Sequence, residues 1–394
     1  MIPFATRYGF ARTDVRLDNW RKAPWSTWSF GHVRELVPSA RIATAAPSMD
    51  QAIGDPYGLL EAPLAFAGED RTIAAALRQT STDALVVMKN GHVIADFYAP
   101  YMAPDSRHIV FSISKSVTGL LAGIVEGDGL LDPDAPVSAY VPEIAGSAYA
   151  DATVRHLLDM RVSLNFEESY LDTTGAYGRY RRAVLWNPPQ AGDIDPTMLG
   201  FLRTLRKGSG AHGGAFCYRS PNSDMLGLVI ERASGQRYID LATERLWKPL
   251  GATQDAEITV DATGAARAAG GVSMTARDLA RLGEMMRRGG LSTTGQRILP
   301  AAWVDDTVRT GGSRQAWQES GDAWLPNGRY RNQWYQIGNP TDAFAAVGVH
   351  GQWLHVDPSA GTVIAKLSSQ PEPSDEACDR LCLALLAELS REAA

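Results

Sequence analysis

The chain has 394 residues, of which 45% are hydrophobic and 21% charged, and this ordinary globular composition excludes a disordered protein. Its formal charge of −6 comes from mixed signs without long single-sign blocks, so we expect no nucleic-acid partner. The start of the sequence lacks a secretory signal pattern, and no later run approaches the ~18 apolar residues of a membrane span. We therefore expect a cytoplasmic protein that does not enter the membrane.

The three cysteines indicate neither a disulfide framework nor a metal site. Cys217 stands alone, while Cys378 and Cys382 lie four apart in an apolar stretch, and no C-x-x-C pair occurs. The sequence GSGAHG at 208–213 matches the pattern G-x-G-x-x-G, but it follows helical rather than strand-like sequence, so we interpret it as a loop. We expect no metal and no organic cofactor.

The first clear element is a β-hairpin. Residues 84–98 form two β-rich runs around Asn90-Gly91, a dipeptide that suits the positive φ angles of a type I′ turn. The next segment, FSISKS at 111–116, leads into apolar residues at helical spacing that end near Gly127. Ser112 therefore lies where strand-like sequence changes to a helix.

The rest of the chain alternates between helical and strand-like sequence, with one exception. A short helix begins behind Thr153, and helical periodicity returns at 224–235 and 275–290. Between them, residues 165–215 are rich in Tyr, Arg, Gly and Pro without a sustained period, which is typical of a binding loop or lid. Three strand-like runs near the C-terminus precede a helix from about Ser374.

This order predicts an α+β fold in which an antiparallel sheet is flanked by helices. We assign residues 1–111 and 266–394 to a sheet domain built from both terminal regions. Residues 112–265 form an inserted, mostly helical domain that contains the irregular, lid-like segment 165–215. The cleft between the two parts is the expected binding site.

Ser112 and Lys115 are the strongest candidates for chemistry. On a helix, residues three apart lie on one face with Cβ atoms about 5–6 Å apart, so the amine can reach the hydroxyl. The helix N-terminus favours negative charge, and burial lowers the pKa of a lysine enough to make it a base. The alternative is an ordinary helix cap beside a solvated lysine. No G-x-S-x-G elbow occurs, so a serine hydrolase needs other partners.

Tyr218 is the candidate third member of this site. It ends a short apolar run and precedes a helix, a position from which a phenol can point into a cleft. A phenol is a poor base at its ordinary pKa near 10, but a neighbouring lysine ammonium makes the phenolate accessible. We therefore expect Lys115 and Tyr218 to share the proton of Ser112 and to pass it to the leaving group.

Three segments carry a family resemblance: FSISKSVTGLLAGIVEGDGLLDPDAPVSAYVPE, YRSPNSDMLGLVIERASG and AGGVSMTARDLARLG. Together they resemble the serine hydrolases that share the fold of class C β-lactamases and penicillin-binding proteins. The nearest likeness is to the 6-aminohexanoate-dimer (nylon oligomer) hydrolases and the related family VIII carboxylesterases. Because the likeness extends over most of the chain, it implies a β-lactamase/penicillin-binding-protein-like fold.

The resemblance implies a role for each of five residues. Ser112 would be the acylated nucleophile, Lys115 the general base and Tyr218 the proton relay. Tyr170 resembles a loop tyrosine whose hydroxyl hydrogen-bonds the leaving nitrogen. The backbone N–H groups of Ser112 and Val349 would bind the oxyanion, where one donor is worth roughly 3–4 kcal/mol.

Two departures from the β-lactamase pattern matter. Class C enzymes carry Tyr-x-Asn, whereas Ser220 stands two residues after Tyr218 and Asn222 two further on. The Lys-Thr-Gly motif falls on 346–348, where Ala346 replaces the lysine while the glycine, which lets the substrate backbone approach, remains. Because the lysine's positive charge is missing, we expect poor β-lactam turnover and favour an amidase or esterase.

Further residues near the predicted cleft have two interpretations each. His350 is interpreted as a hydrogen-bonded structural residue, with a general base as the alternative. The aromatic residues of the lid-like segment either cover a substrate or pack the segment down. Its arginines either form a solvated charged loop or favour an acyl substrate with an anionic end. These residues are Tyr177, Tyr180, Trp186, Arg179, Arg181 and Arg182.

The predicted reaction is hydrolysis of a small linear amide or ester through an acyl-Ser112 intermediate. Three alternatives stay open: a family VIII carboxylesterase without amidase activity, a β-lactamase or D,D-peptidase, and an inactive binding protein on the same scaffold. The sequence does not decide between amides and esters, and it leaves open whether the chain forms a homodimer.

Overall fold

The computed structural model describes residues 2–193, 195–322 and 324–393. The strands are β1 (Ser39–Ile42), β2 (Pro63–Phe66), β3 (Glu69–Thr72), β4 (Thr82–Lys89), β5 (His92–Tyr98), β6 (His108–Ile109), β7 (Ala256–Thr259), β8 (Val272–Met274), β9 (Arg329–Arg331), β10 (Trp334–Gln336), β11 (Phe344–Gly348), β12 (Gln352–Asp357) and β13 (Thr362–Ser368). The α-helices are α1 (Phe4–Tyr8), α2 (Ser26–Ser29), α3 (Ile73–Gln79), α4 (Ile113–Gly127), α5 (Val137–Tyr140), α6 (Val154–Leu158), α7 (Ala176–Ala183), α8 (Met198–Thr204), α9 (Ser220–Ser234), α10 (Tyr238–Leu241), α11 (Lys248–Leu250), α12 (Ala276–Arg287), α13 (Ala301–Asp305), α14 (Arg314–Glu319) and α15 (Glu376–Glu392).

A seven-stranded antiparallel sheet forms the centre of the fold, in the order β5-β4-β13-β12-β11-β10-β9. Pairing of β13 with β4, with Thr362 opposite Lys89, joins two segments that are far apart in the sequence. Both strands are buried along almost their whole length, so helices must cover both faces of the sheet. Helix α12 packs on one face, and α3 and α15 pack on the other. The fold class is therefore α+β with an antiparallel sheet flanked by helices, as predicted.

A second, four-stranded sheet positions the start of α4. Its order is β1-β7-β8-β6, and β6 pairs with β8 through Ile109 opposite Ser273. The Val110 N–H then donates to the Val272 carbonyl at 2.9 Å. Since α4 begins three residues later, the FSISKS segment is anchored to the strand β8.

Most predicted elements are confirmed. The hairpin pairs β4 with β5, and its turn residues Asn90 and Gly91 have φ angles of 49° and 86°, as a type I′ turn requires. Thr153 caps α6, since its hydroxyl accepts the N–H of His156. Helices α4, α9, α12 and α15 lie where helical periodicity predicts them.

The expectation that segment 165–215 is irregular is wrong at α7, which lies within it, whereas α8 overlaps the helical sequence that precedes 208–213. Hydrophobic periodicity did not predict helix α7, because its buried face consists of tyrosine and arginine side chains instead of aliphatic ones. Gly178 lets this helix approach the preceding loop, because a Cβ there would lie 2.3 Å from the Thr173 carbonyl. The segment thus packs as part of the core rather than standing apart from it.

The division into residues 1–111 with 266–394 and an insert at 112–265 stays a prediction. Strand β7 lies before the predicted boundary at 266 yet pairs with β1 near the N-terminus. Within the described parts of the chain, no helix has the length and apolar character needed to cross a bilayer.

Candidate active site

Ser112 lies at a strained turn between β6 and α4. The preceding residue, Phe111, has a φ angle of +43°, which a non-glycine residue adopts only when its surroundings impose it. Its buried ring contacts the rings of Phe30, Trp186 and His350 at centroid distances of 4.9, 6.0 and 5.3 Å. This packing holds the backbone in place and fixes the position of Ser112 at the first turn of α4.

Lys115 lies one helical turn further on, with its amine against the serine hydroxyl. Nζ is 2.8 Å from Ser112 Oγ and 2.6 Å from the carbonyl oxygen of Ala269. The side chain is buried, and burial lowers the pKa of Lys115 to about 7, although the nearby carboxylate of Glu168 opposes the shift. A large fraction of the amine is therefore neutral near pH 7, and it is placed to accept the Ser112 proton.

A buried ion pair holds the carbonyl that orients Lys115. Asp224 on α9 accepts the Ala269 N–H at 2.8 Å and pairs with the guanidinium of Arg267. The Tyr180 hydroxyl also donates to Asp224, at 2.5 Å. These contacts fix the segment around Ala269, so its carbonyl oxygen faces the lysine.

Tyr218 completes the polar cluster at Ser112. The Lys115 Nζ is 4.9 Å from the centre of its ring, and its hydroxyl lies near that of Ser112. Burial raises the pKa of Tyr218 well above its ordinary value, and this effect exceeds the lowering by the Ser112 hydroxyl. The expectation that the phenolate becomes accessible is therefore wrong, because the phenol stays neutral. It can carry a proton only by receiving one while it donates another.

The N–H groups of Ser112 and Val349 are the predicted oxyanion donors. Among the described residues, neither the Ser112 N–H nor the Val349 N–H donates to another backbone carbonyl. Val349 directly follows β11 and precedes His350, which has a φ angle of +62°. The preceding residue, Gly348, is predicted to let the substrate backbone approach, and the fold gives a further reason for it: a Cβ there would lie 2.5 Å from the Val110 carbonyl oxygen. The protein's own backbone requires this glycine.

A cavity of about 430 Å³ opens onto Ser112. Tyr218, Tyr170 and Val349 line it together with the nucleophile, while Lys115 lies buried behind Ser112. The structure thus brings the five predicted site residues together. The remaining walls are Asp322, Trp324, Tyr335, Val347, Gly348, Trp353, Pro373, Ser374, Glu376, Asp379, Arg380 and Leu383.

An adjoining cavity of about 480 Å³ meets the first at Tyr170, Val349 and Pro373, which line both. The Tyr170 ring contacts that of Tyr177 at 5.6 Å, and burial raises the pKa of Tyr170 well above its ordinary value. A neutral phenol at this junction can donate a hydrogen bond to a group bound between the two cavities.

The departures from Tyr-x-Asn have a structural explanation. Ser220 points to Glu168, whose carboxylate accepts its hydroxyl at 2.5 Å and also its backbone N–H. Asn222 is buried and accepts a hydrogen bond from the Tyr149 hydroxyl at 3.3 Å. Neither residue lines the cavity at Ser112, so neither stands in for the second polar group of the class C motif.

The two interpretations of His350 can now be separated. Its Nδ1 is 2.7 Å from the carbonyl oxygen of Gln370, and burial lowers the pKa of His350 to about 4. Its ring packs against Phe30 and Phe111. These contacts support the structural role, since such a weakly basic imidazole is a poor general base.

The lid-like segment supplies both packing and cavity residues. Tyr177 and Trp186 line the second cavity, whereas Tyr180 is fully buried in the cluster with Asp224. Of its arginines, only Arg181 lines that cavity; Arg182 pairs with Asp193 at 2.9 Å, and Arg179 is exposed.

Sequence reasoning missed several wall residues, notably Arg21, Asp322, Trp324 and Tyr335. No local pattern marks Arg21, because it reaches the cavity only through the packing of the N-terminal region against the segment around Trp186. The density of aromatic residues between 317 and 335 is a signal that could have pointed to the other three.

Comparisons with known proteins agree with this geometry. Residues 70–388 match the family described as Beta-lactamase. The chain is 39% identical over 384 residues to a 6-aminohexanoate-dimer hydrolase of Paenarthrobacter ureafaciens, with 97% of this chain and 95% of that protein covered. The chain therefore belongs to the Beta-lactamase family. The prediction of an S-x-x-K serine hydrolase is confirmed by this membership.

Solved structures show the same fold. A Bacillus anthracis protein provisionally described as a 6-aminohexanoate-dimer hydrolase superposes with a TM-score of 0.86 at 23% identity, covering 97% of this chain and 98% of that one. A family VIII carboxylesterase superposes with a TM-score of 0.58 at 17% identity, covering 80% of this chain and 95% of that one. A class C β-lactamase variant superposes with a TM-score of 0.57 at 14% identity, covering 80% of this chain and 94% of that one.

Proposed function

We propose that the protein hydrolyses small linear amides or esters through an acyl intermediate on Ser112. The observation that carries this proposal is the Lys115 amine, buried and 2.8 Å from the serine hydroxyl, with a pKa lowered to about 7. A neutral amine at hydrogen-bond distance is what activates a serine for attack. An inactive binding protein would have no need for such a lysine, since burying it destabilises the fold.

In the proposed acylation step, Lys115 takes the proton from Ser112 as Oγ bonds to the substrate carbonyl carbon. The carbonyl oxygen becomes negative and receives hydrogen bonds from the N–H groups of Ser112 and Val349. When the bond to the leaving nitrogen or oxygen breaks, Tyr218 donates its proton to that atom. The Lys115 ammonium then restores the proton of the phenol, so the enzyme's charges are those of its starting state.

In the proposed deacylation step, a water molecule takes the place of the leaving group. Lys115 accepts a proton from it, and its oxygen bonds to the acyl carbon. Ser112 Oγ leaves and takes this proton back through the Lys115 and Tyr218 pair, which releases a carboxylic acid and restores the starting enzyme. Tyr170, at the junction of the two cavities, is proposed to hydrogen-bond the leaving nitrogen in the first step.

The substrate class follows from the relative and from the cavity. The relative's name states that it acts on the 6-aminohexanoate dimer, a linear amide, and the two adjoining cavities of this chain are lined in part by aromatic side chains. Ala346 is buried at the position of the β-lactamase lysine, which argues against a β-lactamase or D,D-peptidase. A family VIII carboxylesterase without amidase activity is the second candidate, favoured by the shared fold.

We also propose a cytoplasmic location, because Cys217, Cys378 and Cys382 are free thiols, as is usual in a reducing compartment.

The direct test replaces the nucleophile. Ser112→Ala is expected to lower the rate on p-nitrophenyl acetate and on the 6-aminohexanoate dimer roughly a thousandfold or more. Ser116→Ala is the matched control, because Ser116 lies one turn further along α4 and its hydroxyl only donates to the Gln333 carbonyl. Parental activity in Ser112→Ala would disprove the proposal.

A further inference from the structure

The cavity next to Ser112 carries an unusual set of charges. We call it the basic lobe; it contains Arg21, Lys22 and Arg181 beside aromatic walls, with a volume of about 480 Å³. It adjoins the cavity that holds Ser112, because Tyr170, Val349 and Pro373 line both. A substrate bound at Ser112 would reach this lobe by passing these three residues.

The two arginines of the basic lobe have no carboxylate partner among the described residues. Arg181 is 7% exposed; one of its terminal nitrogens donates to the Asp172 backbone carbonyl, and its Nε has no hydrogen-bond partner. Arg21 donates to the Trp186 carbonyl at 3.0 Å and to Asn187 Oδ1 at 2.6 Å, both of which are neutral. Each guanidinium also lies over an aromatic ring, at 4.9 Å from the ring centre for Arg181 and 5.6 Å for Arg21. Since a buried charge is normally paired, Arg181 lacks a carboxylate partner.

The acidic groups nearby do not supply that anion. Asp18 and Glu372 line the lobe but are exposed, and Asp18 pairs with Arg16 at 3.1 Å. The Asp172 carboxylate attracts the Arg181 guanidinium but forms no salt bridge with it, and it accepts the N–H groups of the two residues that precede α7. Burial lowers the pKa of Arg21 to about 9, with a further contribution from the positive charge of Arg181. The three cationic side chains that line the lobe thus outnumber its two exposed carboxylates.

The cavity at Ser112 has the opposite charge at its far side, which we call the acidic lobe. Asp379 is half-buried and lines it without a salt bridge among the described residues, whereas Asp322 is exposed and Glu376 is paired with Arg380 at 2.5 Å. Burial raises the pKa of Asp379 to about 6, with a contribution from neighbouring Asp375. At neutral pH this lobe suits a neutral or cationic group.

The position of Tyr218 decides which half of a substrate enters which lobe. The leaving atom takes its proton from this phenol in the proposed mechanism, and Tyr218 lines the cavity with the acidic lobe but not the basic lobe. The leaving half therefore lies toward Asp322 and Asp379. The acyl half then extends past Val349 toward Arg21 and Arg181.

We propose that the basic lobe binds a carboxylate at the far end of the acyl half, so that the preferred substrates are monoamides or monoesters of aliphatic dicarboxylic acids. This inference rests on the proposed function and names its substrate class. The predicted acyl half ends in a negative charge, whereas a 6-aminohexanoyl group ends in a positive one. The latter would place an ammonium against two arginines that have no carboxylate partner. A carboxylate there would form charge-assisted, bidentate hydrogen bonds.

The test compares three p-nitrophenyl esters with the same leaving group and the same chain length: the monoester of adipic acid, the hexanoyl ester and the 6-aminohexanoyl ester. We expect kcat/KM for the adipoyl ester to exceed that for the hexanoyl ester by roughly tenfold or more, with the 6-aminohexanoyl ester slowest. Arg181→Gln should bring the adipoyl-to-hexanoyl ratio toward one, and Arg181→Glu should favour the 6-aminohexanoyl ester. Arg179→Gln, on the same helix but exposed, is the control and should keep the parental ratio.

A second pair of substrates tests the orientation. The butylamide of adipic acid carries its carboxylate on the acyl half, whereas N-hexanoyl-4-aminobutyrate carries it on the leaving half. We expect faster hydrolysis of the first. The inference would be overturned by equal rates for the three esters, by a preference for the 6-aminohexanoyl ester, or by faster hydrolysis of the amide with the leaving-side carboxylate. All three outcomes are measured on the wild-type protein and need no variant. Hydrolysis of none of these substrates would instead overturn the proposed function, and the inference with it.

Discussion

Lys115 is suited to the proposed role of base because its burial makes the charged form costly. The lowered pKa, about 7 instead of 10.5, arises mainly from desolvation, with Arg267 adding a smaller effect. The pKa of Tyr218 is raised instead, because burial also disfavours the charged form of the phenol and keeps it neutral. Two neighbouring groups are thereby assigned different roles, with the amine accepting protons and the phenol relaying them.

The first prediction concerns pH. Because the neutral amine is the active form, kcat/KM should be lost as pH falls through the folded-state pKa of Lys115, with a midpoint near 7. The Glu168 carboxylate raises this pKa, so Glu168→Gln should move the midpoint to lower pH. Rates on a p-nitrophenyl ester between pH 5 and 9 measure both. A midpoint near 10, the ordinary lysine value, would show that Lys115 is not buried as described.

The second prediction concerns stability. The folded-state pKa of Lys115 lies below its unfolded value of 10.5, so protonation favours the unfolded chain. The loss of folding stability caused by protonating Lys115 is absent above pH 10.5 and complete below pH 7. Lys115→Met should therefore abolish activity yet raise the free energy of unfolding at pH 7, by about 1–3 kcal/mol once the lost hydrogen bonds are counted. Urea titrations at pH 7 and 10 should show this gain shrinking as pH rises.

The third prediction separates the phenol from the amine. Tyr218→Phe should lower amide hydrolysis roughly a hundredfold or more while keeping part of the activity on p-nitrophenyl esters, because a good leaving group needs less protonation. The comparison of both substrates on one preparation also separates the amidase from the carboxylesterase. Equal losses on the two substrates would contradict the relay role.

At the scale of elements, the site depends on contacts between α4, α9 and the segment that leads into β8. Asp224 on α9 joins them, since it binds the Ala269 N–H and pairs with Arg267 in the core. The Ala269 carbonyl can orient Lys115 only while this segment is fixed. The ion pair is thus connected to the nucleophile through one backbone peptide.

The fourth prediction tests this connection. Asp224→Ala leaves Arg267 charged and unpaired in the core, so the free energy of unfolding should fall by roughly 3–5 kcal/mol. The remaining folded protein should also lose kcat, because the Ala269 carbonyl is no longer held. Asp128→Ala is the control, since it breaks an exposed pair with Arg245 and should cost less than about 1 kcal/mol. Similar stability losses in the two variants would refute the structural role of Asp224.

At the scale of the whole molecule, some features follow from the sequence and others do not. The S-x-x-K spacing predicted that Lys115 would reach Ser112, because one turn of helix fixes that distance. The hairpin turn and the helix caps could be predicted for the same reason, since each depends on a few neighbouring residues. By contrast, the strain at Phe111 depends on rings from three distant segments, which no local pattern records.

The basic lobe shows the same limit. The sequence leaves two interpretations open for Arg179, Arg181 and Arg182, either solvated or facing a substrate. Only the packing of α7 shows that Arg181 is the one that lines the cavity. Arg21 joins it from the N-terminal region through contacts with Trp186. Specificity thus arises where chain segments far apart in the sequence meet, whereas the chemistry lies on a single helix turn and its neighbours.

The central claim is an acyl group on Ser112, and trapping that intermediate tests it most directly. The protein is mixed with a p-nitrophenyl ester, quenched with acid within the first turnovers, digested and analysed by mass spectrometry. We expect the acyl mass on the peptide that contains Ser112, and we expect none in the Ser112→Ala variant. An adduct on another residue, or product formed in each turnover without any adduct or burst of p-nitrophenol, would contradict the account.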